Sequence, residues 1–166
     1  STKAIVVYGD NSNSHQCTAC LLTISGSSIT AGSEVGFNSN RGRYFSITAL
    51  SETKAIATFE QHNDTAGKAC ILDVSGTTIT AGSVQQFTAG AIYNTSVTAL
   101  SSTKAIVVYQ ASPHAAARVL DVSGTTITAG SALEYRIGTT SFQNIAKLTS
   151  TRAIVSYKDN ANNSYP

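Results

Sequence analysis

The chain has 166 residues, enough for one ordinary domain with a sizeable core. Hydrophobic residues make up 42 % of it, which argues against disorder, while charged residues make up only 12 %, about half the usual share of a soluble domain. A net charge of +2 without a basic stripe argues against a nucleic-acid partner, and no apolar run approaches the ~18 residues of a membrane span.

The first predicted element is a strand, Thr2-Lys3-Ala4-Ile5-Val6-Val7-Tyr8. Its opening returns as Thr53-Lys54-Ala55-Ile56, as Thr103-Lys104-Ala105-Ile106 and as Thr151-Arg152-Ala153-Ile154, so the basic positions fall 51, 50 and 48 residues apart. A second phrase, Ser25-Gly26-Ser27-Ser28-Ile29-Thr30-Ala31-Gly32-Ser33, returns at 75–83 and at 123–131. Self-similarity with a period of about 50 marks a repeat architecture.

The third copy reads strand by strand. Ser96-Val97-Thr98-Ala99-Leu100 alternates and is rich in β-branched residues, and Ser101-Ser102-Thr103 is a polar turn. Lys104 to Tyr109 is a strong strand, apolar on both faces and therefore expected to be buried on both. A polar stretch from Gln110 to Ala115 leads to the strand Arg118-Val119-Leu120-Asp121-Val122. Ser123-Gly124 is a two-residue hairpin signal, Thr125 to Thr128 opens the next strand, and Gly130 is expected to bend or bulge it. No window has a helical period. Each copy is thus predicted to be an antiparallel meander of four strands, A to D.

Four-stranded units of this length predict β-propeller blades: a partial blade 1–43, blades 44–92 and 93–141, and a partial blade 142–166 of one repeat domain. The segment Val97-Thr98-Ala99-Leu100-Ser101-Ser102-Thr103-Lys104-Ala105-Ile106-Val107-Val108-Tyr109 resembles the blades of integrin-α-type (FG-GAP-like) propellers and of related propeller lectins. Those families often carry a calcium loop, Asp-x-Asp-x-Asp-Gly, between these two strands. Here the loop is Ser-Glu-Thr or Ser-Ser-Thr, so the resemblance implies no calcium site and no cofactor. About 3.3 repeats are present, fewer than the four to eight blades of a closed ring, which predicts either a homo-oligomer sharing one ring or a segment of a longer chain. The alternative fold is a β-trefoil, with a β-prism behind it. A trefoil has no obvious place for the fourth Thr-Arg-Ala-Ile copy.

The copies agree in their A–B and C–D turns and differ in their B–C and D–A connections. In a meander the two variable sets emerge on one face, and varied loops on a rigid scaffold are where binding usually resides. The B–C loops hold Asp10, His15, Glu60, His62, Asp64 and His114; the D–A loops hold Arg41, Arg43, Tyr44, Tyr93, Arg136 and Phe142. We take Asp10, His15, Arg41, Arg43, Tyr44, His62, Asp64, Tyr93, His114 and Arg136 as candidate ligand contacts. Aromatic rings stack on the apolar faces of pyranoses, and carboxylate, amide and guanidinium groups bond their hydroxyls. Each has a plainer reading beside it: loop histidines are usually solvated, and the aromatics opening strand A can fill inter-blade packing. The histidines lie at unequal offsets from the repeated lysine, which argues against a symmetric metal site. The recurrent Tyr8, Phe59, Tyr109 and Tyr157 read as core residues.

Cys17 and Cys20 form a C-x-x-C without the second pair that zinc needs, so the three cysteines read as buried or paired structural thiols. The absence of methionine, including at position 1, predicts a processed protein, a proteolytic piece or part of a longer chain. Three sequons, at Asn63, Asn94 and Asn162, are compatible with secretion. No nucleophile elbow, zinc-protease motif or phosphate loop is present, and the absence of tryptophan rules out the propeller sialidase repeat. A carboxylate pair such as Asp10 with Glu60 is the only opening for a glycoside hydrolase. The expected function is a secreted, non-catalytic recognition module for a glycan or cell-surface partner. The alternative is a structural repeat segment of an extracellular or viral assembly.

Overall fold

The computed structural model describes residues 2–160. The protein is all-β: the described residues are 75 % strand with no α-helix among them, and the sheet is strongly curled into a half-barrel. The strands are β1 (Thr2–Asp10), β2 (Gln16–Ser25), β3 (Ser28–Ser51), β4 (Lys54–Gln61), β5 (Gly67–Ser75), β6 (Thr78–Ala81), β7 (Gln85–Thr88), β8 (Tyr93–Ser101), β9 (Lys104–Ala111), β10 (His114–Ser123), β11 (Thr126–Ala129), β12 (Leu133–Ile137), β13 (Thr140–Lys147) and β14 (Ala153–Asp159). A seven-stranded sheet runs β1-β2-β3-β4-β5-β6, with β7 also on β5. A five-stranded sheet runs β11-β10-β9-β8, with β12 also on β10, and β13 and β14 form a two-stranded sheet. All pairings are antiparallel. Among the described residues no helix is long and apolar enough to cross a membrane.

Turn chemistry sets these boundaries. Ser25↔Ser28, Ser75↔Thr78 and Ser123↔Thr126 close hairpins whose two loop residues are Gly-Ser or Gly-Thr. Gly26, Gly76 and Gly124 take φ near +60° at the first loop position, as a type II′ turn requires. The loop is Gly124-Thr125, one residue beyond the Ser123-Gly124 pair that the sequence suggested, because the glycine must occupy the first position. At the other turns a hydroxyl replaces the glycine: Thr53 N and Thr103 N donate to Ser51 Oγ and Ser101 Oγ, both at 3.3 Å.

Gly130 breaks its strand as expected, and the break recurs. Gly82 N and Gly130 N donate to the carbonyls of Ile71 and Val119 at 2.8 and 2.9 Å. The outer strand is thereby split into β6 and β7 in the second repeat, and into β11 and β12 in the third. The carbonyls of Gly32, Gly82 and Gly130 accept from Cys20 Sγ, Cys70 Sγ and Arg118 Nη1 at 3.4, 3.3 and 2.8 Å. One structural position thus tolerates a thiol or a guanidinium, provided that it donates.

The 24-residue β3 departs from the predicted D–A loop. Arg41 is still paired with Gln16 of β2, and Gly42 is already paired with Gln61 of β4, so one strand passes from the first repeat into the second without a break.

The core lies between repeats. Ile56 of β4 packs with Val97, Val107 and Tyr109 of the third repeat, whereas its neighbours Ala57 and Phe59 pack with Cys17, Ala19 and Leu21 of the first. On β9, Val107 and Tyr109 face the second repeat while Val108 meets Ile145 of the fourth. These middle strands are buried on both faces, as their unbroken apolar runs predict. Phe59 and Tyr109 are 0 % and 1 % exposed, but Tyr8 is half-buried and Tyr157 is 39 % exposed, because the first and last repeats have a neighbour on one side only.

The lysine of Thr-Lys-Ala-Ile clamps neighbouring repeats in the first two copies. Lys3 Nζ donates to the carbonyl of Gly76, and Lys54 Nζ donates to that of Gly124 at 2.8 Å, each reaching the glycine hairpin one repeat on. Lys54 also meets Asp73 at 2.9 Å, whereas among the described residues Lys104 bonds Asp121 of its own repeat and no glycine hairpin.

Two outcomes are expected. Val107→Ala opens a cavity between the second and third repeats and should cost about 1–2 kcal/mol in a denaturant melt; an unchanged midpoint would refute the two-faced burial. Lys54→Ala should cost about 1 kcal/mol, and Lys104→Ala measurably less. Equal losses would remove the clamp from the account.

Candidate functional site

The site is built near the starts of the second half of β3, of β8 and of β13. Tyr44, Asn94 and Phe142 stand at corresponding positions of three repeats, and each has a left-handed backbone, φ 53°, 52° and 52°. At each the ladder slips, between Arg43 and Ser46, Tyr93 and Ser96, and Ser141 and Asn144. A bulge of this kind re-aims a side chain. Asparagine tolerates the conformation; for tyrosine and phenylalanine it costs on the order of 1–2 kcal/mol. The strain is held in place by neighbours: the Tyr44 carbonyl accepts from Thr95 Oγ1, and Ser46 Oγ accepts from Val97 N at 3.0 Å.

The bulge turns Tyr44 onto the neighbouring repeat. Its ring meets that of Tyr93 edge-on, with centroids 5.8 Å apart and planes at 70°. The rings remain 37 % and 39 % exposed. The guanidinium of Arg43 lies 5.8 Å from the Tyr44 centroid, within cation–π range. Arg43 itself is fixed from below. It stands opposite Glu60 in the ladder and grips that carboxylate with both Nε and Nη2, at 2.8 and 3.0 Å. Glu60 is 1 % exposed, so a fully buried carboxylate anchors a half-exposed guanidinium. That contact raises the Arg43 pKa further above its ordinary value.

Arg41 and Gly42 tie two loops to this region. The Arg41 carbonyl accepts from His62 N at 2.9 Å, and Gly42 N donates to the His15 carbonyl at 3.4 Å. A Cβ on Gly42 would lie 2.4 Å from Cys17 Sγ and 2.6 Å from the Phe45 ring, so only glycine fits. Arg41 Nε is buried without a hydrogen-bond partner among the described residues. Asn40 Oδ1 accepts from Asn63 Nδ2 at 2.9 Å, and Asn38 Nδ2 donates to Gln61 Oε1 at 3.0 Å.

The other candidates are engaged in shaping loops or joining repeats. Asp10 caps the short 3-10 turn Asn11–Asn13, accepting from Ser12 N at 2.9 Å and Ser12 Oγ at 2.6 Å, bonds that hold its carboxyl below the usual range. Asp64 accepts from Ala66 N at 3.1 Å and meets Lys68 Nζ at 2.9 Å; burial opposes ionisation most strongly, yet these partners together still lower its pKa. His15 has a left-handed backbone and His62 is exposed. His114 Nδ1 approaches Glu134 Oε2 at 3.5 Å without hydrogen-bond geometry. Arg136 Nη2 donates to Asp159 Oδ2 at 2.6 Å, joining β12 to β14. Each histidine belongs to a different repeat, and no group of metal-binding side chains gathers among the described residues. Of the sequons, Asn63 is exposed, Asn94 is half-buried within β8, and Asn162 lies outside the described residues.

Glu60 was visible in the sequence only as a loop acid beside His62; its role as a buried anchor was not. Its counterpart Gln110 anchors the next junction, where its Oε1 accepts from Thr140 N and Thr140 Oγ1 at 2.8 and 2.6 Å. The signal available was positional: both residues directly follow the recurrent aromatic, Phe59 or Tyr109. No protein-family model matches the chain, and no curated protein matches it significantly.

Cys17, Cys20 and Cys70 are buried and unpaired. Burial pushes the Cys17 thiol up to about 12 and the Cys70 thiol up to about 11. At pH 8 only about one Cys70 thiol in a thousand is ionised. Iodoacetamide at that pH should therefore leave Cys17 and Cys70 unlabelled in the folded protein and label all three cysteines in denaturant. Rapid native labelling at either residue would contradict the buried placement.

Proposed function

We propose that the protein is a non-catalytic recognition module, acting outside the cell, that binds a carbohydrate or a glycan-bearing surface partner at Arg43, Tyr44 and Tyr93. One observation carries the reading. A tyrosine is held in a strained backbone conformation so that its ring stays half-exposed beside a second ring and a guanidinium locked from beneath. Packing alone gives no reason to keep that strain, since Asn94 occupies the same position of the next repeat without it. Two rings and a fixed cation offer an apolar face for a sugar ring and donors for its hydroxyls. Asp10 and Glu60, the one carboxylate pair considered for hydrolysis, are both engaged, Asp10 as a cap and Glu60 in an ion pair. This supports binding rather than catalysis.

The scaffold we propose is propeller-like, each repeat serving as a blade and the ring completed by further repeats or further chains. The inter-repeat core, the doubly buried middle strands and the lysine clamp support that arrangement.

A glycan array probed with the assembled protein tests the function, and absence of binding to any sugar class would end it. Tyr44→Asn separates ligand contact from packing. It should abolish binding while leaving stability unchanged or raising it by about 1 kcal/mol, because asparagine relieves the left-handed strain. A marked loss of stability would make Tyr44 a packing residue instead. Arg43→Ala is a poor substitute, since it leaves Glu60 as an unpaired buried charge.

A further inference from the structure

Among the described residues Arg41, Arg43, Arg118 and Arg136 are half-buried, and three of them have acceptors. Arg43 grips Glu60, Arg118 donates to Tyr109 Oη and to the Gly130 carbonyl, and Arg136 donates to Asp159. Arg41 is the exception. Among the described residues no carboxylate lies within ion-pair distance of its guanidinium, and its Nε is shut away from water without a partner. A half-buried cation with an unanswered donor is costly. The repeat does not demand it: Ala91 and Thr139 stand at the same distance before Asn94 and Phe142 as Arg41 does before Tyr44.

The strand places Arg41 on the side of the ring cluster. A Cβ on Gly42 would meet Cys17 Sγ and the Phe45 ring, so Gly42 turns toward Cys17 of the first repeat. Side chains alternate along a strand, and Arg41 and Arg43 therefore leave the opposite face of β3. On that face Arg43 stands over buried Glu60, and the bulge brings Tyr44 round to Tyr93 of the third repeat. Arg41 is one step back along the same face, fixed at its carbonyl by His62 N at 2.9 Å. The acids of the surrounding loops are already engaged: Glu60 by Arg43, Asp64 by Ala66 N and Lys68, and Asp10 by Ser12. The charge of Arg41 is the one that the fold leaves uncompensated.

We infer that the ligand taken at Tyr44 and Tyr93 is an acidic sugar, a pyranose bearing a carboxylate of the uronic or sialic acid class, and that Arg41 receives this carboxylate. The inference rests on the recognition reading above and narrows its ligand. The two rings hold the apolar face of the sugar, and Arg43, fixed by Glu60, serves its hydroxyls. The terminal nitrogens of Arg41 supply the paired, charge-assisted bonds that a planar carboxylate accepts. A neutral sugar leaves Arg41 unanswered and binds less tightly, so the uncompensated cation acts as a selectivity device.

The test uses matched pairs on the glycan array, tetragalacturonate and sialyllactose among them, each acid beside its own carboxyl methyl ester. An acid of one class should bind about tenfold more tightly than its ester at low salt, and the class that binds separates a uronic from a sialic source. The preference should shrink as salt rises. Arg41→Gln keeps an amide donor and removes the charge, and in that variant the acid-to-ester preference should fall to about twofold or less. The ratio is taken within each protein, so a purely structural effect of the substitution cancels. Equal binding of acid and ester, or a preference that survives in Arg41→Gln, would overturn the inference. Binding confined to neutral sugars and lost in Tyr44→Asn would overturn it too while leaving the recognition reading intact, whereas no binding of any sugar would end both.

Discussion

The constraint from which the rest of the structure follows is that the middle strand of each repeat is apolar on both faces. A strand such as Lys104–Ala111 has no face to give to water, so a single sheet leaves half of it unsatisfied. Burial of both faces requires a neighbouring sheet on each side, and a repeating sequence supplies it. Odd-numbered residues of β4 and β9 pack against the preceding repeat, and Ile56 and Val108 against the following one. Stability is consequently shared between neighbours, which is the usual economy of repeat proteins. The hydrogen-bonded links across the junctions reinforce the same contacts from both ends. The lysines reach the glycine hairpins at one end, and the serines of the inner strands accept main-chain N–H groups near the other.

A scaffold fixed in this way can hold local strain. Tyr44 takes a backbone conformation that tyrosine disfavours, and it is held there by a bulge, by a hydroxyl on its carbonyl and by the neighbouring strand. The polar group that follows the recurrent aromatic of the middle strand differs from repeat to repeat. Within the sheet of the second repeat, buried Glu60 grips the arginine opposite it, which reaches the surface beside the third; between the third and fourth repeats, Gln110 grips the buried Thr140. A charged anchor produces a half-exposed guanidinium, and a neutral one produces a buried cluster of Gln110, Thr140 and Gln143. One repeated backbone position thereby serves two chemically distinct anchors.

Much of the fold was legible because its causes are local. Thr-Lys-Ala-Ile and Ser-Gly-(Ser/Thr) recur because strand alternation and hairpin geometry act over a few residues. Gly130 could be read as a break because it sits inside an otherwise uniform strand pattern. The candidate site was legible only in part. Arg43, Tyr44 and Tyr93 lie on the variable face and do come together. Asp10, Asp64 and Arg136 are equally polar and equally placed in sequence, yet they cap a turn, brace a loop and bridge two strands. Nothing in their spacing distinguishes the two outcomes, because each depends on a partner that is remote in the chain or on a turn geometry. The uninterrupted passage of β3 from one repeat to the next was equally hidden, since Asn38-Ser39-Asn40-Arg41-Gly42 has the composition of a loop.

By itself the sequence determined the all-β class, the period of about 50 residues, the turn positions to within one residue and the strands that must be buried twice. These follow from backbone preference and from the side-chain alternation of a strand, which need no knowledge of distant residues. The tertiary structure alone decided that Glu60 lies under Arg43, that Tyr44 turns onto Tyr93, and that the repeated lysine answers a glycine carbonyl one repeat away. Each of these joins atoms separated by many residues: the pairing of β3 with β4 brings the first pair within reach, and the packing of one repeat on the next brings the other two.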